Sequence, residues 1–272
     1  MLLNDKNEVL NKLFLMIVYD TLPGIVYDKI TSMMEIDFKK IVHSGQCFRA
    51  QDLGDKFRFV SKDKILYIKQ GEDIADSFWR NYFDLDKNYN IDVEGEFLSK
   101  AKAYSQGIRI LKQDPFETLI SFIISQRRSI PAIRTCVERI CETCGVEQDG
   151  VYLFPTPKDL ANADISDCGL GYRHDYVKNA AKLVSYGDID LEAFRKLSTE
   201  DLMYELTSIR GVGEKVANCV ALFGYHKIEA FPVDVWISRV QDRYYNGRFP
   251  VEKYPGFAGV LQQYIFYFIR KN

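Results

Sequence analysis

One stretch constrains this chain more than any other: "LMYELTSIRGVGEKVANCVALFGY", residues 202–225. A helical period ends near Ser208, Gly211 and Gly213 bracket a tight turn, and a second helical period starts around Glu214. The pattern predicts a helix-hairpin-helix over about residues 199–223. Glycines let the backbone turn sharply and leave amide N–H groups unobstructed beside a helix N-terminus, where a phosphate diester can sit. Helical hairpins with glycine turns also serve as plain connectors, so the motif alone does not settle a function. Lys215 sharpens the question, because it puts a cation into the first turn, the partly positive end of a helix. It either points into solvent or is a lysine whose pKa the same field lowers, leaving an amine able to attack an electrophilic carbon.

The rest of the chain supplies a scaffold of two kinds. Between about residues 30 and 70, "CFRA", "KFRFV" and "KILYIKQ" are short, aromatic or β-branched, and separated by "QDLGD" and "SKDK" turns, which predicts an antiparallel sheet. Beyond "DSFWRNYF" the period becomes helical. "DPFETLISFII" offers Asp114 as N-cap, Pro115 at the first helical position and Glu117 at the third, with Phe116, Leu119, Ile120, Ile123 and Ile124 as a buried face. "TPKDL" and "STED" repeat the capping logic, and "IRTCVERICETCG" reads as a helix carrying its cysteines in buried and terminal positions. The expectation is an α+β protein, with an N-terminal antiparallel sheet domain and flanking helices over residues 1–105 and an all-helical body over residues 106–272.

Charge limits how such a chain could hold a polyanion. Lys and Arg number 36 against 38 Asp and Glu, a net charge of -2, and neither half is basic, with 15 against 17 before residue 105 and 21 against 21 after it. A nucleic acid would have to be held by a local patch or by backbone amides. The six cysteines have no secretory leader before them, and a reduced, cytoplasmic setting is expected. The lone CxxC of Cys141 and Cys144 falls within a helix, so no metal is expected there. "VLNKLFLMIVYD" is broken by Asn11 and Lys12 and is far shorter than the roughly 20 residues of a membrane span.

A second motif, "FPVDVWISRV", places Asp234 before a helical run as a natural N-cap. A capping carboxylate is held ionised by the amides it accepts from, and it could stabilise a cationic transition state if the hairpin brought Lys215 near.

Hairpin, Lys215 and "PVDV" together resemble the helix-hairpin-helix DNA glycosylases with a glycine/proline-rich loop and an aspartate, and more closely their 8-oxoguanine DNA glycosylase/AP lyase branch. The likeness runs over about residues 30–272 through "SGQCFR", "WRNYFDLD", "GIRILKQDPFETLISFI", "CGLGYR", "GVGEKVANC" and "PVDVW", leaving residues 1–25 outside it. The resemblance implies base excision from duplex DNA containing oxidised guanine, with the nucleotide extruded from the helix. Lys215 would attack C1′, release the base, form a Schiff base and nick the strand by β-elimination, with Asp234 supporting the transition state. Gly45 matches the glycine whose carbonyl accepts the N7 hydrogen that 8-oxoguanine has and guanine lacks. Cys219 and Phe266 match the pair that sandwiches the base, and Gln262 the side chain that reads its Watson–Crick edge. From the residues alone, Cys219 and Phe266 would be core and Gln262 an exposed helix polar.

On the DNA side, Tyr172 matches the wedge that fills the vacated stack, Arg173 an arginine facing the orphaned base, and Gln126 and Arg127 lie in the adjoining loop with the hairpin glycines. The resemblance implies no required cofactor, though a monovalent cation on the hairpin carbonyls would suit it, and a monomer acting in the cytoplasm, nucleoid or nucleus. Departures bear on function. Trp236 stands where a phosphate-contacting histidine is common, no iron–sulfur set of cysteines follows Cys219, and Arg127 and Ala132 replace an asparagine and an arginine that read an opposite cytosine. That last change predicts a relaxed opposite-base preference. A monofunctional glycosylase for alkylated bases and a non-catalytic hairpin DNA-binding module are the alternatives, and neither has a use for Lys215.

Overall fold

The computed structural model describes residues 36–271. The apolar N-terminal stretch and the early part of the expected sheet region, before Ile36, lie outside the described residues.

Asp37 caps a short helix, α1 (Phe38–His43), by accepting from the Lys40 amide. An antiparallel sheet follows in the order β1 (Gln51–Asp52), β2 (Phe57–Ser61) and β3 (Lys64–Ile68). Its register pairs Asp52 with Phe57, and Phe59 with Leu66. Helix α1 and α2 (Ser77–Tyr82) close over one face. Phe38, Phe59 and Phe83 meet there edge-on or tilted, with Phe59 and Phe83 perpendicular at 4.9 Å, a favourable arrangement for aromatic rings.

"CFRA" is not a strand. Residues 47–50 form an irregular segment, and the reason lies in what they bury. Cys47 faces the small core around the sheet, Phe48 faces the larger helical core, and the fully buried Arg49 reaches the Tyr152 carbonyl and, at 3.3 Å, Glu138. A segment buried in three directions cannot keep the two-faced pleat of a strand.

The larger core is helical: α3 (Glu96–Ser105), α4 (Pro115–Ser125), α5 (Ile130–Cys144), α6 (Pro157–Asn162), α7 (His174–Tyr186), α8 (Thr199–Ser208), α9 (Glu214–Gly224), α10 (Val235–Tyr244) and α11 (Ala258–Lys271). A small hairpin, β4 (Glu147–Gln148) and β5 (Val151–Tyr152), links α5 to α6. The capping logic holds locally. Asp114 Oδ1 accepts from the Phe116 and Glu117 amides at 3.0 Å, Thr156 starts α6 and Ser198 starts α8. Helix α4 is buried almost all round and packs against α9, while α3 packs on α11 through a bond from Ser105 Oγ to the Tyr264 carbonyl.

Asp84 joins the two cores. His226, just past α9, lies 3.1 Å from it, Lys112 2.9 Å, and the Tyr89 hydroxyl donates to it at 2.9 Å. Burial would raise this carboxyl, but those donors outweigh it and hold its pKa well below the usual range. Among the described residues no helix is long and apolar enough to cross a membrane.

Candidate active site

Between α8 and α9 the chain turns through residues 209–213, closed by the Val212 amide donating to the Ile209 carbonyl at 2.9 Å. Gly211 is there of necessity. Its φ is +92°, and a Cβ would come within 2.4 Å of the Tyr176 ring on α7. The Gly211 carbonyl accepts from Gln126 Nε2 at 3.0 Å, which pins the turn to the end of α4. Gly213 is the N-cap of α9 and offers no side chain to its first-turn amides; the space around it is open. Such a helix start presents uncapped N–H donors and the positive end of the dipole.

Lys215 is half-buried, so it is not a solvated surface lysine. Its ammonium group stands 5.2 Å over the Phe122 ring, which itself stacks on Phe223 and meets Phe48 edge-on. Phe122 lies off the face of α4 read as buried from sequence. An aromatic out of phase with a helix's apolar stripe is the signal that could have found it.

One turn along α9, Cys219 is buried against the same lysine. Burial pushes the Cys219 thiol above its ordinary pKa, Lys215 pulls the other way through charge and a hydrogen bond, and Asp234 adds to the rise. The three side chains therefore share one electrostatic neighbourhood. Asp234 is the N-cap its sequence suggests, with Oδ1 accepting from the Trp236 amide at 3.0 Å and the Ile237 amide at 2.9 Å.

Lys215 and Asp234 open onto one cleft of about 690 Å³, whose walls include Gly45, Phe48, Phe122, Ser125, Gln126, Ile130, Trp236 and Phe266. Asp234 is the one acid among its lining residues, against Arg127, Arg128, Lys215 and Arg239. This is a local basic patch in a chain with a net charge of -2. Gly45 has φ +80°, and a Cβ there would meet Ile130 Cδ1 at 2.7 Å and Phe266 Cε1 at 3.3 Å.

Gln262 is not the exposed polar its sequence suggests. It is buried, donates from Nε2 to the Pro232 carbonyl at 2.9 Å, and leaves a buried Oε1 with no partner. It lies one turn before Phe266 on α11, while neither it nor Cys219 lines the cleft itself.

The outer rim is apolar and basic. Tyr172 is 55% exposed and Trp236 44%, with Arg239 5.5 Å over the Trp236 ring, and Val233 and Val235 are exposed beside it. Arg173, by contrast, is buried. Its Nε donates to the Gln126 carbonyl at 2.9 Å, Nη2 reaches the same oxygen, Nη1 donates to the Leu170 carbonyl at 3.2 Å, and its guanidinium stacks 4.3 Å from Tyr172. Arg127 is exposed and holds φ +52°. Arg239 and Trp236 were not singled out as a pair in the sequence, although they lie one helical step apart on α10.

A glycine hairpin, a half-buried lysine and a helix-capping aspartate on one basic cleft define a DNA glycosylase of the helix-hairpin-helix type. Residues 120–250 match the model of the HhH-GPD superfamily base excision DNA repair proteins, and residues 72–119 that of the 8-oxoguanine DNA glycosylase N-terminal domain. The chain belongs to the 8-oxoguanine DNA glycosylase family of that superfamily and is an N-glycosylase/DNA lyase. It is 30% identical over 226 residues to a probable N-glycosylase/DNA lyase of Methanothermobacter thermautotrophicus, covering 70% of this chain and 72% of that one. It is 35% identical over 198 residues to the N-glycosylase/DNA lyase of Saccharomyces cerevisiae, covering 64% of this chain and 53% of the yeast protein. A solved structure of Clostridium acetobutylicum 8-oxoguanine glycosylase/lyase, bound to duplex DNA with cytosine opposite 8-oxoguanine, superposes with a TM-score of 0.78 at 31% identity, covering 88% of this chain and 93% of that one.

Proposed function

We propose that this enzyme removes 8-oxoguanine from duplex DNA and then cleaves the strand, with Lys215 as nucleophile. The extruded nucleotide enters the cleft, and the lone pair of Lys215 Nζ attacks C1′ while the glycosidic bond breaks and its electrons leave with the base. The C1′–O4′ bond of this adduct then breaks towards O4′, which takes up the proton released from Nζ, and the open-chain Schiff base acidifies C2′; loss of a C2′ proton forms the C2′–C3′ double bond and expels the 3′ phosphate. Asp234 supplies fixed negative charge opposite the cationic sugar as the bond breaks. Gly45 offers its carbonyl to the N7 hydrogen of the lesion and Phe266 packs on the base; Cys219 and Gln262, buried behind the cleft wall, meet the base as it opens that wall, Cys219 on its other face and Gln262 through its spare amide oxygen. Hairpin amides around Gly211 and Gly213 hold backbone phosphate and Tyr172 fills the vacated stack; a monovalent cation, not required for the chemistry, would sit on hairpin carbonyls, of which those of Ile209 and Gly211 already accept from Val212 and Gln126. No organic cofactor takes part, and the enzyme acts as a monomer built from the two domains expected from the sequence. With Ala132 and Arg127 beside a committed Arg173, the reading includes a relaxed choice of opposite base.

The observation that carries this reading is the placement of Lys215 and Asp234 on one cleft with Gly45 and Phe266 on its walls. Borohydride trapping on an 8-oxoguanine duplex tests it. The wild type should form a covalent adduct and Lys215→Gln should not, while still binding the lesion duplex. An adduct with Lys215→Gln at the wild-type level would remove Lys215 from its role.

A further inference from the structure

Gly45 sits between two residues whose carbonyls are both already taken. Ser44 is fully buried, and its carbonyl accepts from Gln263 Nε2 at 2.8 Å, across 219 residues of chain. Gln46 is also fully buried, and its carbonyl accepts from Gln113 Nε2 at 2.7 Å. The Gln46 side chain then fixes the loop from the other side, donating to the Arg109 carbonyl at 2.9 Å and to Ser44 Oγ at 3.1 Å while its Oε1 accepts from the Leu111 amide at 2.9 Å. Of the three successive carbonyls, that of Gly45 is the one that accepts no hydrogen bond among the described residues, and Gly45 lines the cleft.

We infer that Gln263 and Gln113 are specificity-positioning residues: by occupying the carbonyls on either side of Gly45, they hold the free Gly45 carbonyl at the place where one hydrogen on a purine is read. A glycine at φ +80° has the widest backbone freedom of any residue, so a carbonyl acceptor built on it reads nothing reliably unless its neighbours are pinned. Buried amide donors do this without bringing a charge to the base pocket. Neither glutamine lines the cleft, so each bears on it through the carbonyl it holds next to Gly45. The inference rests on reading the Gly45 carbonyl as the acceptor of the lesion's N7 hydrogen.

Gln263→Met and Gln113→Met keep side-chain length and remove the donor. Two rates are measured under single turnover, excision of 8-oxoguanine and nicking of a preformed abasic site, together with competition between lesion and undamaged duplexes. Abasic nicking needs no base recognition. Each variant should lose about tenfold in lesion excision and in preference for the lesion duplex, the scale of one hydrogen bond, with abasic nicking kept within about threefold. Unchanged preference in a variant that nicks abasic DNA would overturn the inference. So would equal losses in both rates, which would make the glutamines general supports of the fold. If the wild type itself shows no preference for the lesion, the functional reading fails before any variant is compared.

Discussion

Gln126 holds Gly211 through its side chain, Nε2 to carbonyl oxygen at 3.0 Å, while its own main-chain carbonyl receives the Arg173 guanidinium. One residue at the end of α4 thus joins the hairpin turn to the loop that carries Tyr172. Gln126→Ala removes the bonds to Gly211 and to the Ile123 carbonyl, about 0.5–1.5 kcal/mol each. Affinity for an abasic-site duplex should fall about tenfold, and Gln126→Glu, which sets a carboxylate against that carbonyl, should lose more. Fluorescence anisotropy titrations check both, and wild-type affinity in Gln126→Ala would show that the hairpin keeps its place without this tie.

Asp234 caps α10, and one substitution separates that job from the electrostatic one proposed for it. Asn accepts from the Trp236 and Ile237 amides as Asp does, so Asp234→Asn should cost less than about 1 kcal/mol of stability. It removes the charge proposed to face the sugar, and a lost electrostatic stabiliser of a transition state costs about 10²–10³ in rate. Single-turnover excision should fall by that factor while lesion binding stays within several-fold. An unchanged rate would leave Asp234 as a cap alone.

The reach of the sequence follows the range of the forces involved. The N-caps Asp114, Thr156, Ser198 and Asp234 were legible because their hydrogen bonds close within three residues. The hairpin was legible because Gly211 leaves no room for a side chain. Gln262 was misread as exposed because its partner, the Pro232 carbonyl, lies 30 residues away. "CFRA" was misread as a strand because Arg49 is held by Tyr152, 103 residues on. Nothing in "GLGYR" tells that Arg173 spends two of its three bonded nitrogens on the Gln126 carbonyl, at the end of another helix.

Glu117 gives the fold a pH dependence of definite sign. Burial raises its carboxyl pKa to about 8, with Arg49 opposing and Asp114 and Glu138 adding to the rise. Between the ordinary value of 4.5 and about 8 the folded chain keeps a proton that the unfolded chain has released. The native state binds more protons there, so this group's contribution to stability falls as pH rises through that window and is level above it. Glu117→Gln removes the slope. Its stability relative to wild type should grow from pH 5 to pH 8 by up to about 1.4 kcal/mol per pH unit in urea unfolding. A difference that is flat or shrinks with pH would show Glu117 ionised in the folded protein.

Choice of the opposite base depends on donors that can reach the base left behind. Ala132, half-buried at the start of α5, has none. Arg173 has three nitrogens on the carbonyls of Gln126 and Leu170, and withdrawing the whole guanidinium strips both donors from the Gln126 carbonyl, at a cost of about 1–3 kcal/mol. Arg127 is exposed and flexible in reach, and a lone guanidinium finds acceptors on every base as well as on phosphate. Discrimination at one base pair amounts to about 1–3 kcal/mol when its contacts are intact, so this trio should supply less than about 1 kcal/mol. Single-turnover excision of 8-oxoguanine opposite cytosine, thymine, guanine and adenine should therefore agree within about tenfold. A preference for cytosine of a hundredfold or more would mean that Arg173 leaves its carbonyls on binding or that Arg127 reads the base, and Arg127→Ala would then tell the two apart, since only the second loses its preference with that side chain.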